Sequence, residues 1–165
     1  MPTIIDDDVV YQLGRIVVIF IFLDQALTDL WCDLESETVE RSIAVRMEFT
    51  SRGFTDKLKK LRRKIGDRIQ SAPASASIIE RCNEIFDRIV ELAQKRNDTI
   101  HGHCFTHTKT GELHVINLGK TRTGQIRLDG RELTRFVTDS SEAALDFLNV
   151  SSEVRSVWAL LGPLI

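Results

Sequence analysis

Two side chains suited to chemistry stand close together at one place in the chain, in the segment Arg96-Asn97-Asp98-Thr99-Ile100-His101-Gly102. A guanidinium is permanently protonated and offers a planar fork of donors that matches a phosphate or carboxylate. An imidazole changes charge near neutrality, so it gives and takes protons at working pH. Together they fit a reaction in which a proton moves while negative charge grows on a bound anion. Asn97 lies four residues before His101 on the same helical face, where its amide is placed to orient the imidazole or the reacting group. Asp98 adds a carboxylate beside it. Arg96 sits about 140° around an ideal helix from His101, so a long side chain and a frayed helix end have to close that gap. A plainer account is available too. A His in a last helical turn followed by Gly satisfies terminal carbonyls, with Gly102 at positive φ and Arg96 paired to an acid on a neighbouring helix.

The elements that position this segment are mostly helices. From about Val9 to Leu34, Leu13, Val17, Phe20, Leu27 and Trp31 recur at three-four spacing and predict a long helix buried on more than one side. A second helix is expected from about Glu37 to Arg52. Gly53 punctuates it, and Phe54 to Ile69 follows with Leu58, Leu61 and Ile65 inward and a strongly basic outer face. The small, polar stretch Ser71 to Ala76 reads as a loop. Ser77 and Glu80 have the spacing of a capping box that opens the central helix. That helix carries Ile78, Cys82, Ile85, Ile89 and Leu92 on one stripe and reaches Arg96 on the same line, turning polar where its core stripe would continue. Beyond Gly102 the period changes, and short strands with a turn at Lys109-Thr110-Gly111 predict a β-meander over about 103–128. Helical spacing returns from Arg131 to Leu161. The expected fold is therefore mainly α, a bundle of four to five helices with a short antiparallel meander inserted before the last one. Without repeats or low-complexity linkers, residues 1–165 read as a single domain.

On these residues the chain resembles the HEPN superfamily, small helical domains whose signature is Arg-x(4 to 6)-His and which include toxin and antiviral ribonucleases. Arg96, the polar Asn97, His101 and Gly102 carry the likeness, with the motif closing a long amphipathic helix. The likeness spans most of the chain in architecture and is specific over Arg96 to Gly102. It implies a homodimer in which the Arg and His of two protomers meet and cleave RNA without a metal or cofactor, leaving a cyclic phosphate. A 2′-hydroxyl then loses a proton as it attacks phosphorus and the leaving 5′-oxygen gains one, work assigned to His101, while Arg96 holds the phosphate. Asn97 would support them. It further implies a bacterial toxin or phage-defence role, with an antitoxin or operon partner. The rival reading is a non-catalytic helical module that uses the same dimer face for association.

Asp24, between Phe20 and Leu27 on the core stripe of the first helix, needs a counter-charge, and Arg96 is the nominated partner within about 4 Å. Lys57, Lys60 and Lys64 belong to a dense basic run with Lys59, Arg62 and Arg63, and are candidates for contacting an RNA backbone. Such a run is more often a solvated helix face, and no aromatic residues interleave with it in sequence. His101, His103, Cys104 and His107 cluster, but match no structural zinc spacing, so no metal is assigned.

Composition bounds the rest. The chain has 165 residues, 42% hydrophobic and 28% charged, enough for one good core. Its formal charge of -2 supplies no global attraction for nucleic acid or membrane, so any such binding is local. Three widely spaced cysteines do not make a disulfide framework and point to a reducing cytoplasm. The apolar run Ile16 to Leu23 is shorter than the roughly 20 residues of a spanning helix, and Asp6 to Asp8 stand where a signal peptide wants positive charge. A cytoplasmic protein without membrane contact is the expectation.

Overall fold

The structure is a computed structural model that describes residues 7–35, 39–70, 72, 75–101, 103–106, 113–119, 122–127 and 129–161. It is mainly helical, with five helices among the described residues: α1 (Asp7–Glu35), α2 (Val39–Thr50), α3 (Phe54–Ile69), α4 (Ser75–Ile100) and α5 (Gly130–Leu161). Between α4 and α5 the backbone pairs as β1 (His103–Thr106), β2 (Leu113–Gly119) and β3 (Arg122–Arg127), antiparallel in the order β1-β2-β3. Phe105 lies opposite His114, which lies opposite Arg127. Gly102, His107 and the Lys109-Thr110-Gly111 turn fall outside the described residues.

The chain forms two compact units, and α1, α4 and α5 each contribute to both. The first unit comprises Met1–Phe20 and Ile89–Glu142. Its core is built from Val9, Ile16 and Phe20 of α1, Ile89, Leu92 and Ala93 of α4, and Leu133, Phe136 and Val137 of α5. The second comprises Ile21–Arg88 and Ala143–Ile165, with a core of Leu23, Leu27 and Leu30, Phe49, Leu58, Leu61 and Ile65, Phe86, and Phe147 and Val154.

Sequence spacing accounts for these faces, with local corrections. On α5 the buried positions Leu133, Val137, Ser140, Ala144, Phe147, Ser151 and Val154 alternate steps of four and three, the seam of a helix that meets partners along its whole length. Its start is capped by Asp129, whose carboxylate accepts the backbone N–H of Arg131 at 2.7 Å while its carbonyl accepts that of Leu133 at 2.9 Å. On α1 the buried line runs through Val9, Gln12, Ile16, Phe20, Leu23, Leu27 and Leu30, so Leu13, Val17 and Trp31, expected in the core, are half-buried instead. Helix α4 opens at Ser75, two residues before the expected box. The Ser75 N–H donates to Ala72 and its hydroxyl to the Gln70 carbonyl, both at 3.2 Å, which places Ser77 and Glu80 inside the first turns.

By length and composition α1 is apolar enough to cross a membrane, because apolar residues continue on both sides of the Ile16 to Leu23 run that looked too short. About 33% of its most apolar window is buried. The same profile belongs to a core helix of a soluble protein, and Val18, Ile21 and Phe22 lie on its exposed side.

Candidate functional site at the end of helix α4

Arg96, Asn97, Asp98 and His101 all stand at the C-terminal end of α4, within the first unit. The helix ends at Ile100, yet the His101 N–H still donates to the Asn97 carbonyl at 3.0 Å, so helical phase carries through His101. The separation of about 140° around the axis between Arg96 and His101 is therefore kept rather than relaxed by fraying. His101 is exposed. Arg96 is half-buried and turns toward the core, its guanidinium over the Phe20 ring at 5.6 Å from the ring centre. Its Nη1 donates to Asn97 Oδ1 at 2.6 Å, while its Nε, fully buried, has no hydrogen-bond partner among the described residues.

This arrangement changes one assigned role. The Asn97 amide oxygen holds Arg96, its neighbour in sequence, and not the imidazole that the four-residue spacing favours. No hydrogen bond among the described residues links Arg96 to His101. Asp98 is half-buried and accepts from Gln94 Nε2 at 2.9 Å, one turn back on the same helix. Around this end, Thr99 is buried with its hydroxyl donating to the Lys95 carbonyl at 2.8 Å, and the Lys95 ammonium sits 4.8 Å from the centre of the Phe136 ring on α5. Two successive cations of α4 thus rest on aromatic faces of the same unit, a contact worth about 0.5–2 kcal/mol depending on desolvation.

The remaining assigned residues belong to the second unit. Asp24 finds its counter-charge in Lys57, where the spacing argument nominates Arg96. The Lys57 ammonium donates to both Asp24 oxygens at 2.8 and 2.7 Å, lies 3.4 Å from the Thr28 hydroxyl, and faces the Phe49 ring at 5.8 Å. Only 1% of Lys57 is exposed, so it is unavailable to an RNA backbone. The signal was present in the spacing, because Lys57, Leu61 and Ile65 recur at four-residue steps on one stripe of α3. Lys64 pairs with Glu35, and its ammonium lies 6.0 and 5.7 Å from the centres of the Trp31 and Trp158 rings. Arg62 pairs with Asp87 at 2.5 Å and Arg68 lies over Trp158 at 5.2 Å. Aromatic residues do interleave with this basic helix, contributed by other helices, so most of its cations serve packing. Of the three assigned lysines only Lys60 is left without a described partner, half-exposed.

Cys82, packed on α4 in the second unit, has its thiol pushed up to about 11 by burial, and Cys32 is raised for the same reason. Both are free and buried, and a thiol so placed is a poor nucleophile. Among the described residues no three His, Cys, Asp or Glu side chains group as a metal site, and the side chains of His103, Cys104 and His107 fall outside the description. Comparison of the chain with protein families, with curated proteins and with solved structures finds no match.

Proposed function

We propose that the chain is a metal-independent endoribonuclease of HEPN type, in which Arg96 holds the scissile phosphate and His101 moves the proton between the 2′-hydroxyl and the leaving 5′-oxygen. The single observation that supports it is the presence on one helix tip, that of α4, of an exposed imidazole and a guanidinium whose Nε has no partner among the described residues. Its exposure leaves the His101 ring open to a substrate, and an imidazole is a side chain suited to general acid-base work. Because Arg96 and His101 of one chain point to different sides of the helix, each active site draws one group from each of two protomers. The functional unit is thus a homodimer. In this reading Asn97 positions Arg96, segment 103–128 is a meander inserted in the helical domain, and the activity belongs to a cytoplasmic bacterial toxin or phage-defence protein held by an antitoxin or operon partner.

The test is cleavage of labelled RNA in the presence of chelator by the wild-type chain and by His101→Ala, whose exposed position leaves packing intact. Loss of cleavage by roughly 100-fold or more, the usual contribution of a general acid-base group, is expected, with 2′,3′-cyclic phosphate ends on wild-type products. Absence of cleavage by the wild-type chain over several salt concentrations and RNA substrates overturns the assignment. A strictly monomeric species that cleaves overturns the two-protomer site.

One observation favours the non-catalytic alternative, a dimerising interaction module: Arg96 is turned onto Phe20 instead of outward beside His101. The same cleavage assay separates the two.

A further inference from the structure

The Arg96 contacts leave part of its donor capacity unused. Its guanidinium is stacked on Phe20 and bonded once, to Asn97, while Nε is buried with its N–H unused. Several arginines elsewhere in this chain end on carboxylates, Arg46 on Asp29 at 2.7 Å, Arg155 on Asp33 at 2.7 Å and Arg88 on Asp146 at 3.1 Å, whereas Arg15, like Arg96, faces a ring, that of Tyr11, and donates to an amide oxygen, that of Gln12. Among the described residues Arg96 makes no ion pair. A cation placed on an apolar ring with a donor left over has its strongest possible interaction, a bidentate anion, unmet.

We infer that Arg96 has two stations, one parked on the Phe20 ring and one extended toward solvent where Nε and Nη grip a phosphate oxygen pair, and that Phe20 is the positioning residue that sets the balance between them. The inference rests on the reading of Arg96 as the phosphate-holding group, and it explains why the guanidinium is found away from the imidazole. Phe20 lies on α1 within the same unit as Arg96, is 3% exposed, and presents the π-face that a cation prefers. In the parked station the buried Nε forfeits hydration. The extended station regains it, so the two differ by few contacts and a phosphodiester tips the balance by binding one of them alone.

The wild-type chain carries the first measurement. Stacking on Phe20 moves the Arg96 side-chain NMR resonances upfield through the ring current, and addition of an all-deoxy oligonucleotide, which lacks the attacking hydroxyl, relieves that displacement. Arg96 resonances with no ring-current displacement overturn the inference. The second measurement is the rate at which phenylglyoxal modifies Arg96, followed by peptide mass analysis with exposed Arg63 as internal reference. Phe20→Leu removes the π-face while keeping apolar bulk. The Arg96 rate is expected to rise roughly 2- to 30-fold, the range that loss of a cation–π contact brings, with Arg63 unchanged. An unchanged Arg96 rate in a variant that retains its helical circular dichroism overturns the inference. If Phe20→Leu does not fold, the wild-type resonances decide. Neither readout requires cleavage, so a chain without nuclease activity still tests the two stations, and a cleaving chain without them refutes the positioning role alone.

Discussion

The buried pair between Lys57 and Asp24 predicts an asymmetric response to losing one partner or the other. Lys57 is 1% exposed, whereas the Asp24 side chain is 39% exposed, so the acid end of the pair reaches water and the ammonium end does not. In Asp24→Ala the ammonium keeps only the Thr28 hydroxyl at 3.4 Å and the Phe49 ring, both far weaker than a carboxylate at 2.7 Å. Removing one partner of a buried ion pair costs about 3–5 kcal/mol through the charge left behind. In Lys57→Met the stranded group is the carboxylate, which rehydrates through its exposed side, and the thioether fills the volume of the lysine stem. That loss is expected to stay below about 1.5 kcal/mol, the range of volume-conserving changes. Urea unfolding followed by tryptophan fluorescence reads both variants. For a chain of this length, about 2–4 °C of Tm per kcal/mol makes Asp24→Ala melt roughly 6–20 °C below the wild type, with Lys57→Met within about 6 °C. Equal losses in the two variants, or a larger loss in Lys57→Met, would refute the argument that desolvation of the ammonium dominates this pair.

Two further outcomes follow from other places in the fold. Asp129→Ala removes the side-chain acceptor for the Arg131 N–H and should cost about 1 kcal/mol in a chemical melt, whereas Asp129→Asn, which keeps an acceptor oxygen, should cost no more than a few tenths. Cys82 binds its proton more tightly in the folded chain than in the unfolded one. Its contribution is therefore complete below the unfolded thiol range and is lost as pH rises from about 9 toward about 11. A shift of that size corresponds to roughly 2–3 kcal/mol across the window, and Cys82→Ala should flatten the alkaline decline of stability relative to the wild type. A decline equally steep in the variant would show that other groups carry it.

Much of the architecture is legible in the chain because helices are written in spacing. The three-four recurrence of apolar residues determined that α1, α3, α4 and α5 exist and roughly where they end, since a periodic face has to be buried whatever lies opposite it. It also placed Arg96 and His101 on different sides of one helix tip, a consequence of residue number and pitch alone. Spacing does not say which neighbour a face meets, and the departures lie there. The α1 core line keeps Phe20 and Leu27 but runs through Gln12, Ile16 and Leu30 in place of Leu13, Val17 and Trp31, because several apolar stripes compete on that helix and the packing surface selects one. Lys57 reads as one cation in a basic run until tertiary contact sets Asp24, Thr28 and Phe49 around it. Trp31 and Trp158 are far from Lys64 in sequence and close to it in the fold. Asn97 had two reachable partners, and the direction of the Arg96 side chain toward Phe20 chose between them. Local periodicity, being a property of neighbours along the chain, was available from sequence. The counter-charges and ring faces that decide which cations are free come mostly from other helices, as far as 122 positions away, and only the folded chain assembles them.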